Sequence, residues 1–150
     1  PFGTWVGGRE KAPAALCRKV IEAVDTGNHE IEIWGDGEQT RSFMYIDDCI
    51  SGMGRLMSSS HTEPLNLGRA ELVSINGLLD IIEGIAGIKL TRNYDLSKPQ
   101  GVRGRNSDNT LIQETLGWEP EVDLVTGLEK TYHWIKEQYE RRKRGEVVVD

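Results

Sequence analysis

Three short stretches bring together residue types that could do chemistry. In the first, Gly35-Asp36-Gly37 is followed at once by Gln39, Thr40 and Arg41, an amide, a hydroxyl and a guanidinium. Glycines allow a tight turn, and a turn would hold that polar trio at a surface where it could grip a ligand. An ordinary hairpin with a solvated arginine fits the same residues. In the second, Gly7-Gly8-Arg9-Glu10-Lys11 leads into a helix, where free backbone N–H groups and the helix dipole favour an anion. A plain capped helix start is the alternative. In the third, Lys98-Pro99-Gln100-Gly101-Val102-Arg103-Gly104-Arg105-Asn106 sets two arginines among glycines. The planar guanidinium fork suits phosphate oxygens and the glycines let a ligand approach the backbone. A polar surface loop is again the alternative.

Other chemistries lack their residues. Cys17, Cys49, His29, His61 and His133 are scattered without the paired spacing of a zinc site. No Gly-x-Gly-x-x-Gly follows a strand, so the dinucleotide fingerprint is missing. Tyr132 and Lys136 match a Tyr-x-x-x-Lys spacing, but Tyr132 lies on an apolar helix stripe and Lys136 reads as its flank.

The elements that must position these stretches can be read from periodicity. Leu16, Val20, Ile21 and Val24 predict a helix whose first turn holds Pro13 and which Gly27 ends. Ile31 and Ile33 before the first turn, and Phe43, Tyr45 and Ile46 after it, predict strands. A helix capped by Asp47 or Asp48 carries Ile50, Met53, Leu56 and Met57 and ends at Ser58 to Ser60. Pro64 to Gly68 reads as a short buried strand, Ser74 starts a helix through Ile85, and a strand follows within 88–94. Ser107 or Asp108 caps a short helix ended by Gly117, and Leu124, Leu128, Tyr132, Ile135 and Tyr139 mark a long last helix. Strands alternating with helices predict an α/β protein.

With 150 residues the chain can bury one real core, and a net charge of -6 argues against a general nucleic-acid binder. Any anionic ligand must therefore meet a local basic cluster. Two cysteines suit a reduced, cytoplasmic protein, and no apolar run approaches a membrane span. Pro1 opens the chain in an expected loop without a methionine, so the chain is expected to be part of something longer.

Several stretches converge on one family. Gly35-Asp36-Gly37-Glu38-Gln39-Thr40-Arg41-Ser42-Phe43 with Ile46-Asp47-Asp48, then Leu65-Asn66-Leu67-Gly68, Leu116-Gly117-Trp118-Glu119-Pro120 and Gly127-Leu128, resemble in order and spacing the carboxy-terminal half of the extended short-chain dehydrogenase/reductase enzymes acting on nucleotide sugars. Within it, residues 1–15 and the loop 101–109 resemble the branch that acts on GDP-mannose. The resemblance implies the substrate-binding, carboxy-terminal part of a Rossmann-type subunit across 1–150, with the amino-terminal NAD-binding part absent from this chain. It implies a homodimer for the whole protein and no metal.

The same resemblance implies the roles of individual residues. Arg41 and either Arg103 or Arg105 would hold the diphosphate, Glu10, Lys19, Gln39 and Thr40 would contact the substrate, and Lys11 would be both a contact and an acid/base at the sugar ring. The family's chemistry oxidises the sugar transiently at C4 with NAD, which acidifies the C3 and C5 protons for exchange. Arg9 and partial desolvation would favour a neutral Lys11, and Glu10 would oppose that. Cys17 cannot be its partner, since six residues along a helix lies well round the cylinder.

Overall fold

The computed structural model of the chain describes residues 4–99 and 101–148. The loop expected over Pro1 to Gly3, and Gln100 of the second arginine loop, lie outside the described residues. Helix α1 spans Ala12–Thr26, with Pro13 in its first turn and Gly27 left-handed at φ 68° as its stop. Strand β1 is Glu30–Trp34, and its alternation buries Ile31 and Ile33 on one face. After the Gly35–Gly37 turn come the two-residue strand β2, Thr40–Arg41, and helix α2, Ile46–Met57. Strand β3, Val73–Ser74, runs into helix α3, Ile75–Ala86, whose start is capped by the Ser74 hydroxyl accepting from the Gly77 N–H at 3.0 Å. Strand β4 is Thr91–Asp95, and the chain closes with α4, Thr110–Leu116, and the long α5, Leu124–Lys143.

β1 pairs in parallel with β4, Glu30 opposite Thr91 and Trp34 opposite Asp95, while β2 pairs antiparallel with β3, Arg41 opposite Val73. The helices α1, α3 and α5 pack on one another and on the buried face of β1, joining Val20 and Ile21 to Leu78, Leu79 and Ile82 and to Leu128, Tyr132 and Ile135. Each of these side chains contributes about 1.5–3 kcal/mol by leaving water. A second packing centre sits under α2, where Gly52 has no room for a Cβ because Leu67 and the buried Trp118 press on it. The buried Asp48 carboxylate ties the same region to the Val122 N–H at 2.9 Å.

Several expectations need correction. Phe43 and Tyr45 are not in a strand and Ile46 opens α2, because the sheet continues only through β2. Tyr45, not Asp47 or Asp48, is the N-cap residue of α2; both aspartates stand in its first turn, where they meet the positive end of the dipole. Pro64 to Gly68 forms no strand among the described residues, since no neighbouring backbone edge reaches it. The strand expected within 88–94 is shifted, running from Thr91 to Asp95 so that its residues stand opposite β1. Asn109 caps α4, and Asp108 instead accepts from the Thr110 N–H in a local turn. Val24 and the apolar side chains Ile50, Met53 and Met57 are exposed. No described helix is long and apolar enough to cross a membrane.

Candidate functional site

The Gly35–Arg41 turn grows from the end of β1. Gly35 and Gly37 are both left-handed, at φ 78° and 74°, which lets the chain reverse between β1 and β2 within a few residues. Gly35 donates its N–H to Asp95 on β4 at 2.9 Å, extending the β1–β4 pairing by one step. In a parallel pair the carbonyls of a strand alternate between its two edges, and the His29 carbonyl, which accepts from Thr91, faces β4. Glu32 and Trp34, of the other parity, therefore present their carbonyls to the open edge of β1. Two of the expected site residues cover that edge. Lys19 donates its Nζ to the Glu32 carbonyl at 2.8 Å, and Gln39 donates its Nε2 to the Trp34 carbonyl at 3.1 Å.

β2 meets the second arginine loop. The Thr40 N–H donates to the Arg103 carbonyl at 2.9 Å and the Thr40 hydroxyl to the same oxygen at 3.3 Å. Arg41 turns its Nη1 to the Thr40 carbonyl at 2.6 Å, and a Cβ on Gly101 would lie 3.2 Å from the other end of its guanidinium. Between the turn and the loop lies a small cavity of about 140 Å³ lined by Asp36, Gln39, Gly101 and Arg103. The Gln39 Oε1 is a buried acceptor with no partner among the described residues. The side chains of Arg103 and Arg105 are on exposed residues. Two loops about sixty residues apart in sequence thus form opposite walls of one polar recess, with Asp36 and Gln39 on one and Gly101 and Arg103 on the other, while Arg41 stands beside Gly101.

The Gly7–Lys11 loop has a different arrangement. Glu10 folds back so that its carboxylate accepts from the Gly8 N–H at 2.7 Å and from Arg18 at 3.0 Å, and its side chain is 6% exposed. Burial works against its ionisation, but the backbone N–H groups of Glu10 and Gly8 and the Arg18 guanidinium prevail and hold the carboxyl below its usual range. The chain's own carboxylate thus takes an amide that an outside anion would use. Lys11 is the N-cap residue of α1 and is exposed. Glu10 and Lys11 stand just ahead of α1, and Lys19, two turns further on, links that helix to β1.

Two residues with no local sequence signal hold the recess together. Arg69 donates to the Val122 carbonyl at 2.7 Å, while its own carbonyl accepts from Ser42 at 2.6 Å and from the Ser107 N–H at 3.0 Å. Asn76, in the first turn of α3, bonds to three consecutive residues of the Asp36–Glu38 turn. The partners named here are between 27 and 53 residues away for Arg69 and about forty for Asn76, so no spacing rule could expose these bonds.

The sequence profile of the family described as GDP-mannose 4,6 dehydratase matches residues 7–131. The chain belongs to this family. Among its curated relatives, GDP-mannose 3,5-epimerase 1 of Oryza sativa subsp. indica is 53% identical over 99% of this chain. GDP-mannose 3,5-epimerase of Arabidopsis thaliana is 52% identical over 95% of it. The chain spans 38% and 37% of the lengths of these two relatives. A solved structure of UDP-glucose 4-epimerase with UDP-glucose, from Thermotoga maritima, covers 88% of the chain and is itself 41% covered, at 27% identity and a TM-score of 0.79. UDP-glucuronic acid 4-epimerase from Bacillus cereus, in complex with NAD, covers 87% and is 39% covered, at 31% identity and a TM-score of 0.72. These neighbours fit the expected α/β architecture of a Rossmann-type extended short-chain dehydrogenase/reductase.

Membership of the GDP-mannose 4,6 dehydratase family raises the question of a nicotinamide dinucleotide. Its pyrophosphate sits on a glycine-rich turn that joins a strand to a helix amino end. Here the Gly35–Gly37 turn leads into β2 instead, and at the start of α1 the Glu10 carboxylate already occupies the Gly8 N–H. The described residues do not fit a dinucleotide.

Proposed function

We propose that this chain is the nucleotide-sugar-binding carboxy-terminal part of a cytoplasmic NAD-dependent epimerase that converts GDP-mannose to GDP-L-galactose, working as a homodimer. The observation that carries this reading is the fall in identity within the family, from 53% for a GDP-mannose 3,5-epimerase to 40% for a GDP-L-colitose synthase. In this reading Arg41, from beside Gly101, and Arg103 or Arg105, from the second loop, reach the diphosphate at the recess, where a bidentate guanidinium has its best use. Gln39 and Thr40 line the way to them, Lys19 meets the substrate from the α1 side, and Glu10, tied to Gly8 and Arg18, would have to swing out to make its contact. Lys11, exposed at the head of α1, moves a proton at the sugar ring. The cofactor is left to the rest of the polypeptide, in keeping with the poor fit of these residues to a dinucleotide.

The test uses the full-length polypeptide with GDP-mannose in deuterated water. Deuterium entering at C3 and C5, with GDP-L-galactose formed, is the expected result. Exchange with a UDP-sugar and none with GDP-mannose would make it a different nucleotide-sugar epimerase or dehydratase. GDP-mannose binding without exchange would make it a noncatalytic binding module.

A further inference from the structure

We infer that Asn76 is a positioning residue for the substrate recess: it holds the Asp36–Glu38 turn in the shape that presents Gln39, Thr40 and Arg41. The inference rests on the reading of that recess as the nucleotide-sugar site. The Asn76 N–H donates to the Gly37 carbonyl at 3.0 Å, and its Nδ2 donates to the Asp36 carbonyl at 3.3 Å and to the Glu38 carboxylate at 2.7 Å. Its neighbour Ile75 donates to the Gln39 carbonyl at 3.2 Å. Every residue from Asp36 to Gln39 is thereby bonded to the first turn of α3. The far side of the amide is fixed as well. Its Oδ1 accepts from the Tyr94 hydroxyl at 3.1 Å and, at a longer 3.4 Å, from Arg92, which also donates to the Asn76 carbonyl.

Donors on one side and acceptors on the other leave the amide a single sensible orientation. Arg92 does not move freely either, since Glu83, buried at 2% exposure, holds it at 3.0 Å. Gly37 completes the fit: a Cβ there would overlap the Asn76 side chain. A turn with two left-handed glycines is otherwise free to take other shapes, so its conformation has to be imposed from outside. Asn76 imposes it, and also draws the Glu38 carboxylate to α3.

N76D separates this role from a general structural one. It keeps the acceptors for Tyr94 and Arg92 and keeps the size, but it sets a carboxylate against the Asp36 carbonyl and the Glu38 carboxylate. In the full-length protein we expect N76D to raise KM for GDP-mannose, and the calorimetric Kd for GDP, by about tenfold, the worth of one charge-assisted hydrogen bond. We expect kcat and Tm to stay near the parent values. N76D/E38Q, which restores a donor to face the new carboxylate, should recover most of the affinity. If N76D lowers Tm, N76S, which removes the amide donor without adding charge, takes its place with the same expected rise in KM. The inference is overturned if these variants bind GDP normally while R41A binds it weakly. If R41A also binds GDP normally, the recess is not the nucleotide site and the functional reading fails with it.

Discussion

Thr40 and Arg103 are joined through one carbonyl: the Thr40 N–H reaches the Arg103 oxygen at 2.9 Å and the Thr40 hydroxyl reaches it at 3.3 Å. This double contact sets the separation of the two walls of the recess. Gly104 permits it, since a Cβ at that residue would lie 2.7 Å from the Thr40 hydroxyl oxygen. We expect G104A to push the loop away and weaken GDP binding by about fivefold, with little loss of thermal stability because the helical core is untouched. Calorimetry with GDP on the full-length protein, beside a thermal melt, checks both parts.

Lys11 is exposed at the head of α1. If it handles a ring proton, K11A should abolish deuterium exchange at C3 and C5 and leave GDP-mannose affinity within about threefold. Normal solvent exchange in K11A would remove it from the chemistry.

Glu83 is the most buried charge described, accepting from Lys89 at 2.6 Å, Arg92 at 3.0 Å and the Leu90 N–H at 3.1 Å. E83A would leave the Leu90 N–H without its acceptor and take one of two carboxylates from Arg92, which keeps Asp80. Leaving a buried donor unsatisfied costs about 1–3 kcal/mol, so the urea midpoint should fall below that of a surface control such as E129A.

Cys17 is wholly enclosed by the core, and burial pushes its thiol from 9.0 up to about 12. The folded state therefore holds the thiol proton more tightly than the unfolded chain. The stability this gives is fully present below about pH 9 and declines as pH rises from there toward 12, by up to about 1.4 kcal/mol per pH unit. C17A should flatten that alkaline decline in denaturation curves measured between pH 8 and 10.5, though it also leaves a small cavity that lowers stability at every pH.

How much of this was legible in the sequence depended on how local the cause was. Pro13 and Gly27 bracket α1, Ser74 caps α3 and Gly117 stops α4, because each signal and its partner lie within one helical turn. The Gly35–Arg41 turn and the Gly101–Asn109 loop could be singled out, but their meeting could not, since the bond from Thr40 to Arg103 spans sixty-three residues. Asp47 and Asp48 look like caps by type, yet Asp48 turns to the Val122 N–H, seventy-four residues away. Leu65 and Leu67 alternate as a strand should, but no strand pairs with them among the described residues. The fold class followed from the alternation of elements, whereas the anchoring roles of Asn76 and Arg69 became visible only with the coordinates.

The parallel pairing of β1 with β4 also bears on the order in which the chain folds. Glu30 meets Thr91 only after β2, α2, β3 and α3 have been looped out between them, and no hairpin can begin the process. Contacts of such long range form slowly, because their loop entropy is lost before they return any stability. The packing of α1 on α5 closes a still longer loop, 118 residues between Asp25 and Lys143, so the helical core and the β1–β4 pair close together and bring Arg92 and Tyr94 to Asn76. A chain caught before that step would hold only local helix and would lack the turn shape that Asn76 imposes. Pulse-labelling hydrogen exchange, with the Thr91–Asp95 amides protected together with those of α5, is the expected signature.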